Sequence, residues 1–432
     1  MMRASPASTS LAVLEMARSG RFTEIRDLFA PQLRPLVPVE ALEAAWAAEI
    51  AKSGPDASAG EPLSEAAGPG GVVVKILVTG EWGKFTLVAS VSDEGWISGL
   101  QLAPADAAQP TQPWEPPAYA DPESFAEQEM TVGAQTKWPL PGTLSLPTGE
   151  GPVPAVVLAH GSGSLDRDET VGPNKVFRDL AWGLASQGIA VLRYDKRSFV
   201  YPEEVKAHSS ALTVQQTSID DALAAVTLLR NLRHVQSQSI YVLGHSLGGM
   251  VAPRIGKQVP DLAGLVILAG NTRPLEDVIL DQLRYLASLS GAPPAIQEAQ
   301  LKEPEAQVAR VKSPSLSRAT PAEDLPLGLP ASFWLDLRAY QPAEVARSLS
   351  MRVLILHGAR DYQVTMDDYD GWQLALFGRS NAKLILYPDL NHEFIAGTGK
   401  ATPAEYAQPG HVDARVITDI ANWISGRDVS GR

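Results

Sequence analysis

From about residue 125 onward, short apolar runs alternate with stretches of helical periodicity, and this rhythm restricts the fold more than any other feature of the chain. Val153–Ala159, Ile189–Tyr194, Ser239–Leu243, Leu262–Ala269, Met351–Leu356 and Lys383–Tyr387 read as strands. Asn174–Gln187, Val214–Leu232 and a segment after Gly248 read as helices. Ala155-Val156-Val157-Leu158, Ile240-Tyr241-Val242-Leu243 and Val353-Leu354-Ile355-Leu356 are apolar throughout. A strand sandwiched between helices buries both faces, so it needs no polar side, whereas a half-exposed strand alternates. The expected domain is therefore α/β, with a doubly wound, mostly parallel sheet.

That domain does not account for the whole chain. At 432 residues the protein exceeds the ~250–300 at which one core stops growing. Residues 9–50 carry helical spacing, including Leu11, Leu14, Phe22, Ile25, Leu28 and Phe29, and a Gly/Pro/Ser-rich stretch from Ser53 to Gly71 ends it. Three β-like runs follow: Val72–Thr79, Lys84–Val91 and Trp96–Leu102. Residues 1–103 are thus expected to form a small α+β domain, residues 104–124 a Pro-rich linker, and residues 125–432 the α/β domain. Residues 271–348 break the rhythm with helical periodicity, many prolines and no clear strand. They read as a helical insertion over the sheet's C-terminal edge, where ligands of α/β folds bind.

Composition excludes several kinds of chemistry. The net charge is −13, without a block of Lys or Arg, so the basic footprint of a nucleic-acid binder is missing. There are no cysteines, which removes disulfides, Cys-ligated metals and a thiol nucleophile. No run approaches the ~18 apolar residues of a membrane span, and Leu11-Ala12-Val13-Leu14 is too short for a signal-peptide core. The cytoplasm is the default compartment, although a secreted chain stripped of its signal would read the same way. No P-loop, dinucleotide fingerprint or metal-ligand spacing appears, so neither cofactor nor metal is expected; Gly161-Ser162-Gly163 lacks the third glycine.

Gly244-His245-Ser246-Leu247-Gly248 fits the nucleophile-elbow pattern G-x-S-x-G. As a string the pattern is weak. Its context strengthens it, because four apolar residues lead into Gly244 and a helix can begin just after Gly248. A serine nucleophile needs a base, and the base an orienting acid, in the chain order Ser, Asp/Glu, His. Of seven histidines, His392 follows the run Lys383–Tyr387, and Asp361 follows the run Met351–Leu356. Two consecutive strand ends thus supply the acid and the base for Ser246. The oxyanion would be met by the backbone N–H of Leu247, which follows the nucleophile, and by that of Ser162 in the loop His160-Gly161-Ser162-Gly163-Ser164.

Other candidates have blander readings. Asp367 and Asp368 look like the start of a helix, where acids suit the dipole. Asp389 lies too near His392 in sequence to reach its far ring nitrogen. His411 is expected at the surface, and His245 and His357 are expected to hydrogen-bond beside key turns. Asp166/Arg167 and Asp195/Arg197 are expected to brace loops near the site.

His160-Gly161-Ser162-Gly163, Asp166-Arg167-Asp168-Glu169, Arg193-Tyr194-Asp195-Lys196-Arg197 and Gly244-His245-Ser246-Leu247-Gly248-Gly249 together resemble a group of bacterial carboxylesterases in the α/β-hydrolase superfamily. The resemblance implies hydrolysis of small-molecule esters with short acyl chains, without a cofactor. It also implies that residues 9–102 are similar to half of an NTF2-like cone. Ser164-Leu165 departs from the group, where proline commonly follows the H-G-S-G run, and Pro253 must be absorbed as a kink in the elbow helix. A serine peptidase, an acyl thioesterase with the same triad, and a non-catalytic binding module are the alternatives. The dehalogenase and epoxide-hydrolase branches use Asp where this chain has Ser246. About 100 N-terminal residues cannot build the propeller of a prolyl-oligopeptidase-type enzyme. Two roles are open to the N-terminal domain: restricting substrate size beside the entrance, or forming a homodimer.

Overall fold

The computed structural model describes residues 5–31, 33–34, 37–54, 58–66, 71–108, 113–208, 211–289 and 293–427. The expected linker therefore lies partly outside the described residues, at 109–112. The chain divides into two compact units, one of Met1–Gln112, Leu280–Ser315 and Pro321–Gly328, the other of Pro113–Ile279, Leu316–Thr320 and Leu329–Arg432.

The first unit contains helices α1 (Pro6–Arg18), α2 (Phe22–Asp27) and α3 (Val39–Ser53). They are followed by strands β1 (Ser58–Ala59), β2 (Leu63–Ala66), β3 (Gly71–Thr79), β4 (Lys84–Ser92) and β5 (Ile97–Pro104). The sheet is antiparallel in the order β1-β3-β4-β5, with β2 also paired to β3. Alternate residues of β3 and β4 (Val74, Ile76, Val78, Phe85, Leu87) face one way and pack with Val13, Leu14, Ile25 and Phe29. Strands β1 and β2 fall inside the Gly/Pro-rich stretch that reads as a simple break.

The second unit is built on an eight-stranded sheet. Its strands are β6 (Phe125–Val132), β7 (Leu140–Pro147), β8 (Val153–Ala159), β11 (Ala190–Tyr194), β12 (Val235–His245), β13 (Gly264–Leu268), β14 (Arg352–Gly358) and β15 (Ala382–Tyr387). The short pair β9 (Thr170–Val171) and β10 (Asn174–Lys175) forms a separate ribbon. The sheet order is β15-β14-β13-β12-β8-β11-β7-β6, parallel from β15 to β11 and antiparallel at β7 and β6. At the β6 margin, Glu127 and Glu129 point back across the sheet, with Glu127 pairing with Arg193 and Glu129 with Arg167.

Period-two alternation explains why the central strands carry no polar side. Leu354 and Leu356 join one core with Val266, Leu268, Phe177 and Leu180, whereas Val353 and Ile355 join another with Ile267, Ala252 and Trp372. The first core is closed by α4 (Val176–Ala185) and α14 (Ala414–Ile424), the second by α8 (Leu247–Gln258), α12 (Pro342–Ser348) and α13 (Met366–Leu376). Short helices α5 (Arg197–Val200) and α6 (Pro202–Ala207) follow β11, and α7 (Asp220–Arg230) continues a π turn at Gln215–Ile219.

The described part of residues 271–348 contains helices α9 (Leu275–Leu289), α10 (Pro294–Lys312), α11 (Ala331–Leu337) and α12 joined by turns, and no strand. They are shared between the two units, since Leu280–Ser315 and Pro321–Gly328 cluster with the N-terminal residues. Among the described residues, no helix is long and apolar enough to cross a membrane.

Candidate active site

Strand β12 ends at His245 and α8 begins at Leu247, leaving Ser246 alone at the turn with φ 54° and ψ −119°. A side-chain-bearing residue adopts that conformation only where its surroundings impose it. Neighbouring glycines make the turn sterically feasible. A Cβ on Gly244 would lie 2.2 Å from the Gly248 carbonyl oxygen, and one on Gly248 would lie 2.0 Å from that of Ala159. The Ser246 amide donates to the Leu268 carbonyl at 2.9 Å, which pins the turn to β13. The elbow thus sets its serine before the N-terminus of α8, where unpaired amides favour negative charge.

Asp361 and His392 leave the carboxyl ends of β14 and β15. The His392 Nδ1–H donates to Asp361 Oδ2 at 2.6 Å, and both side chains are buried. The other Asp361 oxygen accepts from the amides of Gln363 (2.7 Å) and Val364 (3.0 Å). Burial raises the Asp361 pKa, yet His392 and these donors outweigh it and hold the carboxyl below its usual range. An anionic Asp361 fixes the tautomer, leaving Nε2 of His392 to accept a proton.

Gly161 runs directly past the nucleophile, with the position its Cβ would take lying 3.3 Å from the Ser246 Cβ. Its amide donates to Glu169 Oε1 at 2.6 Å, and its carbonyl accepts from Lys196 Nζ at 2.5 Å. Ser162 follows immediately, and Leu247 opens α8 on the other side of Ser246. Glu169 Oε2 accepts from His245 Nδ1 at 3.1 Å, and His245 Nε2 donates to the His392 carbonyl at 2.9 Å. Burial opposes the charge on His245, but Glu169 and the His392 carbonyl push its pKa up to about 9. Glu169 is correspondingly held below the usual carboxylate range against its own burial. Burial takes Lys196 down to about 8 and His160 down to about 4.

Glu169 and Lys196 are the residues that sequence reasoning did not place in the site, and their signal lies in the charged runs after two adjacent strands; His245 hydrogen-bonds beside the elbow as expected. Arg167 does brace Asp195, through its amide (2.8 Å) and through Nη2 (2.9 Å). Arg197 pairs with Asp221 at 2.5 Å instead of with Asp195. Asp367 and Asp368 open α13 as expected, and Asp389 pairs with Arg415 at 2.8 Å. Contrary to its expected place at the surface, His411 is half-buried and its Nδ1 lies 3.2 Å from Asp179, which lifts its pKa. His357 packs its buried ring against Tyr369, centroids 5.6 Å apart. Among the described residues, no group of three His, Asp or Glu side chains is arranged to hold a metal.

A family model described as serine aminopeptidase, S33 matches residues 152–398. The chain is 43% identical over 342 residues to Esterase EstD of Thermotoga maritima, covering 79% of this chain and 77% of that one. It is 28% identical over 174 residues to Esterase FrsA of Klebsiella pneumoniae subsp. pneumoniae, covering 40% of this chain and 38% of that one. Among solved structures, 2,6-dihydroxy-pseudo-oxynicotine hydrolase superposes with a TM-score of 0.41 at 20% identity, covering 71% of this chain and 70% of that one.

Proposed function

The chain belongs to the serine aminopeptidase S33 family of α/β-hydrolases, and from that premise we propose that it is a carboxylesterase working through an acyl-enzyme on Ser246. The observation that carries this reading is the 2.6 Å Asp361–His392 hydrogen bond, set on the strand ends beside a serine at a strained elbow. In the first step His392 Nε2 takes the Ser246 proton as Oγ attacks the ester carbonyl. The amides of Leu247 and Ser162 stabilise the oxyanion, and Asp361 stabilises the imidazolium that forms. His392 then protonates the departing alcohol. Water, activated by the same imidazole, attacks the acyl carbonyl, and collapse of that second oxyanion returns the proton to Ser246 and releases the acid.

The ester class is supported by 43% identity to an esterase over most of both chains. Short acyl chains are the substrates this reading favours, and esters graded by acyl length test it. The family description keeps a peptidase in view, so aminoacyl amides belong in the same panel. A fluorophosphonate should label Ser246 in the native protein and leave Ser246→Ala unlabelled. Labelling undiminished in that variant would overturn the assignment.

We also read residues 1–103 as an accessory α+β domain of NTF2-like type, 104–124 as a linker, and 271–348 as a helical cap on a catalytic domain spanning 125–432. The accessory domain either limits substrate size or forms a homodimer. Chain-length preference and molecular mass, measured on a chain lacking residues 1–110, separate the two.

A further inference from the structure

Within 5 Å of the catalytic imidazole lies a second histidine that the acyl-transfer steps leave unused. The rings of His245 and His392 have centroids 4.8 Å apart. His245 is buried, and each of its ring nitrogens faces an acceptor, Glu169 Oε2 at 3.1 Å and the His392 carbonyl at 2.9 Å. Two acceptors require two N–H donors, so this ring is an imidazolium paired with a buried carboxylate. The other Glu169 oxygen takes the Gly161 amide at 2.6 Å, one residue before the amide that would face the oxyanion.

We propose that Glu169 and His245 are positioning residues that hold the Gly161-Ser162 loop and the backbone of His392 in mutual register, a role that rests on the ester-hydrolase reading above. One carboxylate anchors the loop on the oxyanion side, and its partner imidazolium anchors the general base. Neither touches the reacting atoms. A pair of this kind matters because misplacing a catalytic group by ~1 Å costs about 10²-fold in rate.

The charge state makes the proposal testable. When wild-type His245 loses a proton, its remaining N–H stays with the Glu169 carboxylate, and the bare Nε2 then faces the His392 carbonyl. That loss is expected as pH rises through about 9. Glu169→Gln removes the conflict. Its amide oxygen accepts from Gly161, and its NH2 donates to Nδ1 of a neutral His245 whose Nε2–H still reaches His392. The charged and titratable groups around His245 are Glu169 after β8, Asp361 after β14, and His392 and Glu393 after β15; Lys196 after β11 faces Glu169.

Full-length wild type, Glu169→Gln, Glu169→Ala and Ser246→Ala are to be compared by ester hydrolysis from pH 6 to about 10, with circular dichroism at each pH to confirm folding. Glu169→Ala is expected to lose about 10²-fold in kcat, with KM changed by less than roughly threefold. Glu169→Gln is expected to lose under about tenfold at neutral pH and to keep that rate above pH 9, where wild type declines. Identical alkaline limbs in wild type and Glu169→Gln, or a wild-type kcat in Glu169→Ala, would overturn the proposal. Turnover retained by Ser246→Ala would instead overturn the assignment of the site itself.

Discussion

Asp368, wholly buried in the first turn of α13, accepts from the backbone amides of Thr272 and Arg273, both at 2.9 Å, and from Arg273 Nη2 at 2.8 Å. One carboxylate thereby ties the segment after β13 to the helix that covers the sheet. Its removal leaves two amides without their acceptor and takes one partner from the Arg273 guanidinium, which keeps Thr365 Oγ1 at 3.2 Å. Asp368→Ala is expected to cost about 3 kcal/mol, and Asp368→Asn, which keeps one oxygen, clearly less. Urea denaturation of the two variants measures the difference, and equal midpoints would show that the hydrogen bonds contribute little.

Strain at the elbow sets stability against activity. Ser246→Gly should eliminate turnover while stabilising the fold by about 1 kcal/mol, because glycine occupies φ 54° without penalty. Gly248→Ala should do the opposite, costing about 3 kcal/mol, since its Cβ would meet the Ala159 carbonyl oxygen at 2.0 Å. Thermal unfolding distinguishes the two directions. A Ser246→Gly protein less stable than wild type would mean that the surroundings do not impose strain.

Asp361→Asn tests the tautomer. An amide in that position donates as well as accepts, so the His392 Nδ1 proton is no longer demanded. A fall of about 10⁴-fold in kcat, with unfolding little changed, is the expected result. Activity within tenfold of wild type would remove Asp361 from the mechanism.

Glu393, next to His392 in sequence, is buried and accepts from Asn174 Nδ2 at 3.1 Å. Burial pushes its pKa up to about 8, well above the ~4.3 of an exposed glutamate. The folded state therefore binds a proton that the unfolded state releases. Stability linked to this group is fully present below pH ~4.3 and is lost as pH rises toward about 8. Glu393→Gln carries no such charge and can still accept from Asn174. The stability advantage of the variant over wild type should widen between pH 5 and about 8. A constant gap across that range would show that Glu393 is ionised in the fold.

Local patterns carried most of this architecture. Val153–Ala159 is a strand from its first residue to its last, because an uninterrupted apolar run between turns has few other fates. Asp361 and His392 were legible because each lies just beyond such a run. Contacts between distant residues were not. Asp179 and His411 are 232 positions apart, and nothing local announces their hydrogen bond. Glu169 is one of four charged residues in a row, and its burial depends on where β12 and the loop after β15 bring His245 and His392. Strands β1 and β2 escaped for another reason. They are two and four residues long, too short for alternation to register.

At the β6 margin, Glu127 pairs with the buried Arg193, and Glu129, its side chain 76% exposed, pairs with Arg167. A strand from another molecule trying to extend the sheet there would have to be accommodated beside carboxylates already committed to those guanidiniums. Charged side chains on an outermost strand guard against indefinite growth of a sheet from molecule to molecule. The ion pairs that fasten β6 to its own sheet therefore also discourage its extension by a strand from another copy.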